Sequence, residues 1–180
     1  SEISFLTEWA IQSWELNLED YTIFWASNSW KTKEVIDLFK NIKSNRKVSL
    51  TAYKNTLLWE LADDEHVLNC GPEEAVAATK SVIEQALFYQ SLISKYFGKD
   101  IEKIQFEKLS DKIKKVLEIK IDKDIITKIS KAPTIYFAWR NNWVAEEITL
   151  KTNEITRKKS DYLEGTYLVH GIEEVMKKDD

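Results

Sequence analysis

The chain has 180 residues, with 26 basic and 30 acidic side chains, a net charge of −4 and 43% apolar residues. Seven each of Trp, Tyr and Phe exclude a disordered chain, and the lone Cys70 excludes an intrachain disulfide scaffold. The acidic balance argues against a general affinity for nucleic acid, and no apolar run approaches the roughly 20 residues of a transmembrane helix.

Only four Gly and two Pro occur. All-β folds and glycine-rich phosphate loops need more, so this deficit favours helices joined by short connections. The start, Ser1-Glu2-Ile3-Ser4, lacks the basic segment of a secretory signal. The expectation is one cytoplasmic, mainly α domain over residues 1–180, a bundle of about six to eight helices with room for a short β-hairpin in its last third.

In chain order, residues 1–30 carry Leu6, Trp9, Ala10, Trp14, Leu18, Tyr21, Phe24, Trp25 and Trp30, as one long helix or two broken near Asn17. Residues 32–42 read as a helix capped by Thr32, with Val35, Ile36, Leu38, Phe39 and Ile42 on one face. Residues 49–62 read as another, through Leu50, Tyr53, Leu57, Leu58 and Leu61. The clearest spans 72–97: Pro72, Glu73 and Glu74 suit its start, Gly98 can close it, and its broad apolar stripe suits contact on more than one side. Residues 100–119 and 122–131 follow as amphipathic helices, the second ended before Pro133.

The last third supports two patterns. Ile135, Phe137 and Trp139 alternate as in a strand, while Tyr136, Trp139, Arg140 and Trp143 also fit a helix. Beyond them Ile148, Ile155, Tyr162, Val169 and Met176 recur every seventh residue, which favours a long helix over a hairpin built on residues 166–170. Glu147 with Lys151, and Glu154 with Lys158, are spaced as helical ion pairs.

Four groups of residues bear on function. Glu60, Asp63, Asp64, Glu65, His66 and Cys70 form an acidic cluster with one acid-x-x-His pair. Helical di-metal sites need two such pairs and further carboxylates, so neither a metal nor a cofactor is expected, and the cluster reads as a solvated connection. Cys70 lacks a clear activating base beyond His66.

The second group is Arg140-Asn141-Asn142-Trp143-Val144-Ala145-Glu146. It resembles the signature of HEPN-type helical ribonucleases, in which Arg, a polar residue and then His line a dimer cleft. The resemblance implies an RNA-processing site of Arg140, Asn141 and Glu146, with Glu146 standing where that family carries its catalytic histidine. The competing reading is an Arg–Glu pair at helical spacing beside packed tryptophans.

The third and fourth groups concern surfaces. Most of the seven tryptophans are expected in the core, with Trp30 and Trp143 beside polar neighbours and available to a protein partner. Residues 1–30 hold no Lys or Arg but carry Glu2, Glu8, Glu15, Glu19 and Asp20, whereas lysines concentrate between 112 and 131. The leading expectation is therefore a small acidic inhibitor of the immunity-protein or antitoxin kind. Glu8, Glu15, Glu19, Asp20 and Trp30 would cover a basic surface on a protein partner, with no membrane involved. The alternative is the HEPN-like ribonuclease, for which nucleic acid would be the partner.

Overall fold

The computed structural model describes residues 17–99, 106–139, 142–165, 167–174 and 176–177. Among them are six α-helices and five strands, with all strand pairs parallel, so the chain is mixed α/β and not the expected helical bundle. It divides into two compact units, Ser1–Ile101 and Glu102–Asp180. No helix among the described residues is long and apolar enough to cross a membrane.

The first unit runs β1 (Thr22–Ala26), α1 (Lys33–Asn41), β2 (Arg46–Thr51), α2 (Leu57–Leu61), β3 (Asp64–Val67) and α3 (Lys80–Tyr96). The sheet order is β1-β2-β3, with Phe24 opposite Val48 and Leu50 opposite His66. Residues paired in register share a face, so Ile23 and Trp25 lie on the side covered by α1 and α2. There they pack with Leu18, Val35, Leu38, Phe39 and Leu58. On the other side Phe88 of α3 stands 6.2 Å from Phe24 and 4.5 Å from His66.

This arrangement explains why helical periodicity misled over residues 49–62. A central parallel strand is covered on both faces and loses the in–out alternation of a half-exposed strand. Val48, Ser49, Leu50 and Thr51 are all buried, and only Leu57–Leu61 is helical. The helix expected from Pro72 begins at Lys80 instead, while Gly98, at φ +65°, closes it as expected. Its N–H donates to Lys95 O and that of Lys99 to Ser94 O, satisfying the last carbonyls. Helix α1 falls where the sequence places it.

The second unit runs α4 (Phe106–Leu117), α5 (Lys123–Lys131), β4 (Ile135–Trp139), α6 (Asn142–Lys151) and β5 (Ser160–Glu164). Asp122 caps α5 by accepting the Asp124 N–H at 2.7 Å. Strands β4 and β5 pair in parallel, from Ile135 opposite Ser160 to Trp139 opposite Glu164, so neither the long helix nor the hairpin forms. Helix α6 connects them, and Lys151 bonds both Glu147 and Glu154. A π-turn at Thr152–Thr156 and Arg157, at φ 59°, then break the helix. The seven-residue recurrence therefore scatters over a helix, a π-turn, a strand, a 3-10 turn and irregular chain, because heptad spacing on its own does not supply the apolar positions between.

Candidate functional site

Parallel strands end on one side of their sheet. The loops leaving that side bring helix starts and free backbone groups together, which makes it the usual ligand edge of an α/β fold. In the first unit this edge consists of residues 27–32 after β1, 52–56 after β2 and 68–79 after β3.

The first two loops are matched. Ala26 lies opposite Leu50, so Ser27 and Thr51 leave the sheet side by side. Each is followed at the same spacing by a threonine in the N-cap position, Thr32 before α1 and Thr56 before α2. The Ser27 N–H donates to Leu50 O at 2.9 Å and the Ala52 N–H to Asn28 O at 3.3 Å, tying the loops together. The Ser27 and Thr32 hydroxyls bond each other at 3.1 Å. Thr51 Oγ1 donates to Tyr53 O at 2.5 Å, and Thr56 Oγ1 accepts the Trp59 N–H at 3.3 Å.

Ser29, Tyr53, Lys54 and Asn55 stand exposed around this framework. The Asn28 Oδ1 is shut off from solvent without a hydrogen-bond partner among the described residues. Trp30 and Asn55 both adopt left-handed backbone, at φ 54° and 53°. For Trp in particular this conformation is unfavourable and persists only where its surroundings impose it. The Trp30 ring packs against the core cluster, and the Lys31 ammonium lies 5.2 Å from its centroid.

The third loop is already satisfied by the chain's own carboxylates. Glu73 accepts the N–H groups of Thr79 and Lys80, each at 2.8 Å, and the hydroxyls of Thr79 and Ser81. Burial opposes its charge, but the bonds from Ser81, Thr79 and Lys80 outweigh it and hold the carboxyl at about 2. Glu84 accepts the N–H groups of Asn69 and Cys70 at 2.6 Å, and these bonds likewise overcome burial to lower its pKa. Burial, and next the Glu84 carboxylate, push the Cys70 thiol up, away from a reactive thiolate.

The acidic cluster of the sequence is dispersed by the strand it forms. Asp63 accepts the Lys47 N–H at 2.7 Å, and Asp64 bonds Arg46 at 2.5 Å. His66 lies under Phe88, and burial raises the Glu65 carboxyl against the pull of Lys54. Three-residue spacing joins side chains on a helix but sends them to opposite faces of extended backbone. No group of three His, Cys, Asp or Glu among the described residues could hold a metal ion.

The second unit carries a separate open cleft of about 440 Å³, lined by Tyr162, Leu163, Glu164, Tyr167, His170, Gly171 and Ile172. It lies at the end of β5, with a carboxylate and an imidazole among its lining groups. Burial, and then the charges of Glu146 and Glu164, push the Tyr162 phenol up.

Of the residues chosen from sequence, Glu19 and Asp20 are exposed in the turn before β1, and Trp30 is half-buried in the first candidate loop. Glu146 is exposed on α6. Glu8, Glu15, Arg140 and Asn141 lie outside the described residues. In these loops the sequence singled out Trp30, as a contact for a protein partner, and Thr32, as a cap; as a site, residues 27–32 and 51–56 were missed. Their signal was the repeated hydroxyl-to-threonine spacing directly after two apolar runs.

No protein-family model and no curated protein matches the chain. Its fold does match solved structures. One is the C-terminal domain of glucosamine-fructose-6-phosphate aminotransferase from Francisella tularensis, with a TM-score of 0.69 and 18% identity over 94% of this chain and 53% of that one. A candidate phosphosugar isomerase from Clostridium difficile 630 matches with a TM-score of 0.70 and 22% identity over 96% and 54%. Another, from Silicibacter pomeroyi DSS-3, gives 0.77 and 20% over 92% and 52%. This likeness overturns the all-α class, and with it the immunity-protein or antitoxin-like inhibitor and the HEPN-like ribonuclease, since both readings were built on a helical domain. In fold the chain resembles phosphosugar isomerase domains, and it spans about half the length of the solved chains it matches.

Proposed function

We propose that the first unit binds a phosphorylated sugar at the matched loops 27–32 and 52–56. The observation that carries this reading is the side-by-side arrangement of Ser27 with Thr32 and Thr51 with Thr56 at the ligand edge of a parallel sheet. A sugar phosphate offers both kinds of group such an edge can recognise. Its phosphate oxygens accept hydrogen bonds from groups that this framework leaves exposed, among them the Ser29 hydroxyl and the Lys31 and Lys54 ammonium groups. Its hydroxyls can bond the exposed Tyr53 phenol and Asn55 amide. The fold likeness to proteins described as phosphosugar isomerases supports the same ligand class.

A second reading, that the second unit by itself isomerises a sugar, is favoured by the cleft at the end of β5. Isomerising an aldose and a ketose requires a proton to leave one carbon and return to its neighbour, with an acid and a base in reach. Glu164 and His170 are groups of that kind among the residues lining the cleft.

The test is titration of the isotope-labelled chain with fructose 6-phosphate and glucose 6-phosphate, followed by amide NMR. Saturable shifts centred on residues 27–32 and 52–56, absent with unphosphorylated fructose, are expected. Saturable binding that leaves those loops unperturbed, or no binding at millimolar ligand, would overturn the reading. Exchange of fructose 6-phosphate hydrogen with deuterated solvent, lost in Glu164→Gln, tests the second.

A further inference from the structure

We infer that Lys31, held over the Trp30 indole, supplies the fixed positive charge that makes the first unit's site select a phosphate dianion over a neutral sugar group. The inference deepens the phosphosugar reading and rests on it.

The matched loops are made largely of neutral hydroxyl and amide groups, which recognise phosphate and sugar alike. Charge selection needs a cation that is both positioned and uncompensated. Two lysines belong to these loops, Lys31 and Lys54. Lys54 acts on the Glu65 carboxyl, so its field is shared with a neighbouring acid. Lys31 has no carboxylate partner among the described residues, and its ammonium instead rests 5.2 Å from the Trp30 ring centroid. An indole face attracts an ammonium without neutralising it, so the charge remains available to a ligand while its long side chain is restrained.

The local backbone is built for that placement. Trp30 takes a left-handed conformation, at φ 54°, which turns its ring back onto the core formed by Val35, Leu38 and Phe39. The next residue, Lys31, then leaves the loop one position before Thr32, at the start of α1. Its N–H reaches Ser29 Oγ at 3.4 Å, within the same turn. A positive side chain thus leaves the backbone one residue before the N-cap of α1, next to the positive end of that helix. Restraining the lysine in advance lowers the ordering cost that a free surface lysine would bear on binding.

The experiment measures inorganic phosphate, fructose 6-phosphate and fructose binding to the full chain by calorimetry. The variants are Lys31→Gln, Lys31→Arg, Trp30→Phe, Trp30→Leu and, at the far end of α1, Lys40→Gln. Lys31 is exposed, so its substitutions leave the melting temperature unchanged. Lys31→Gln is expected to weaken both phosphate ligands about tenfold and to flatten their salt dependence, as for loss of one charge-assisted contact. Lys31→Arg and Trp30→Phe retain most of the affinity, Trp30→Leu lowers it, and Lys40→Gln leaves it unchanged. If the unmodified chain binds fructose 6-phosphate and Lys31→Gln binds it equally well, the role of Lys31 is overturned while the phosphosugar reading stands. If the unmodified chain binds neither phosphate ligand, both fall.

Discussion

The hydroxyls of Ser27 and Thr32 bond each other at 3.1 Å, and this bond diverts Thr32 from capping α1 although it occupies the N-cap position. Thr56, its counterpart before α2, does cap its helix, accepting the Trp59 N–H. The two threonines therefore stabilise the unit in different ways. Thr56→Ala is expected to cost about 1 kcal/mol, the usual scale of a lost N-cap. Thr32→Ala loses no cap bond and is expected to cost less, while loosening residues 27–32. Urea denaturation of both variants measures the difference, and amide exchange across the loop reports the loosening.

Acid should unfold the first unit partly through Glu73. Its folded pKa of about 2 lies below the ordinary 4.5, so the stability it contributes is present above about pH 4.5 and is lost as the pH falls toward 2. Glu84 is shifted in the same direction. Glu73→Gln should flatten the fall in melting temperature between pH 4.5 and 2. Glu73→Ala, which strips acceptors from Thr79, Lys80 and the buried Ser81, should destabilise by about 1–3 kcal/mol at neutral pH.

Asn55 holds left-handed backbone in the loop after β2, at φ 53°. Asn55→Gly should be close to neutral, since glycine enters this region freely. Asn55→Val should lower stability by about 1–2 kcal/mol, because a β-branched side chain meets its own carbonyl there. Thermal melts of the pair check this expectation, and equal melting temperatures would show that the loop relaxes to another conformation.

Burial separates two aromatic residues that look alike in composition. Phe39 is 1% exposed in the core of the first unit, whereas Trp59 is 47% exposed on α2. Phe39→Ala should cost about 3–5 kcal/mol through lost burial and the cavity left behind. Trp59→Ala should cost far less. Chemical denaturation of each variant gives the comparison directly.

Local signals located several elements correctly. Helix α1 follows from Val35, Leu38 and Phe39 at helical spacing, and Asp122 before α5 and Gly98 after α3 mark real helix ends. The alternation of Ile135, Phe137 and Trp139 fits β4, but over the same residues it competed with a helical pattern and left the element undecided. The misreadings are those of buried parallel strands. Ser49 and Thr51 are polar yet entirely buried, and the run through Leu50, Tyr53, Leu57 and Leu61 imitates a helical stripe across a strand, a loop and a short helix.

Where the chain changes direction and which short segments are amphipathic can be read from the sequence, because caps, turns and 3.6-residue spacing act between near neighbours. It also carried the matched Ser27–Thr32 and Thr51–Thr56 spacings, though nothing local showed that they meet. The parallel order of β1, β2 and β3 emerges only in the folded chain, since that pairing depends on hydrogen bonds between residues far apart in the sequence. The same long-range pairing dispersed the acidic cluster along β3 and set Ser27 beside Thr51 at one sheet edge. A candidate site assembled from two strand ends comes into being when the strands pair.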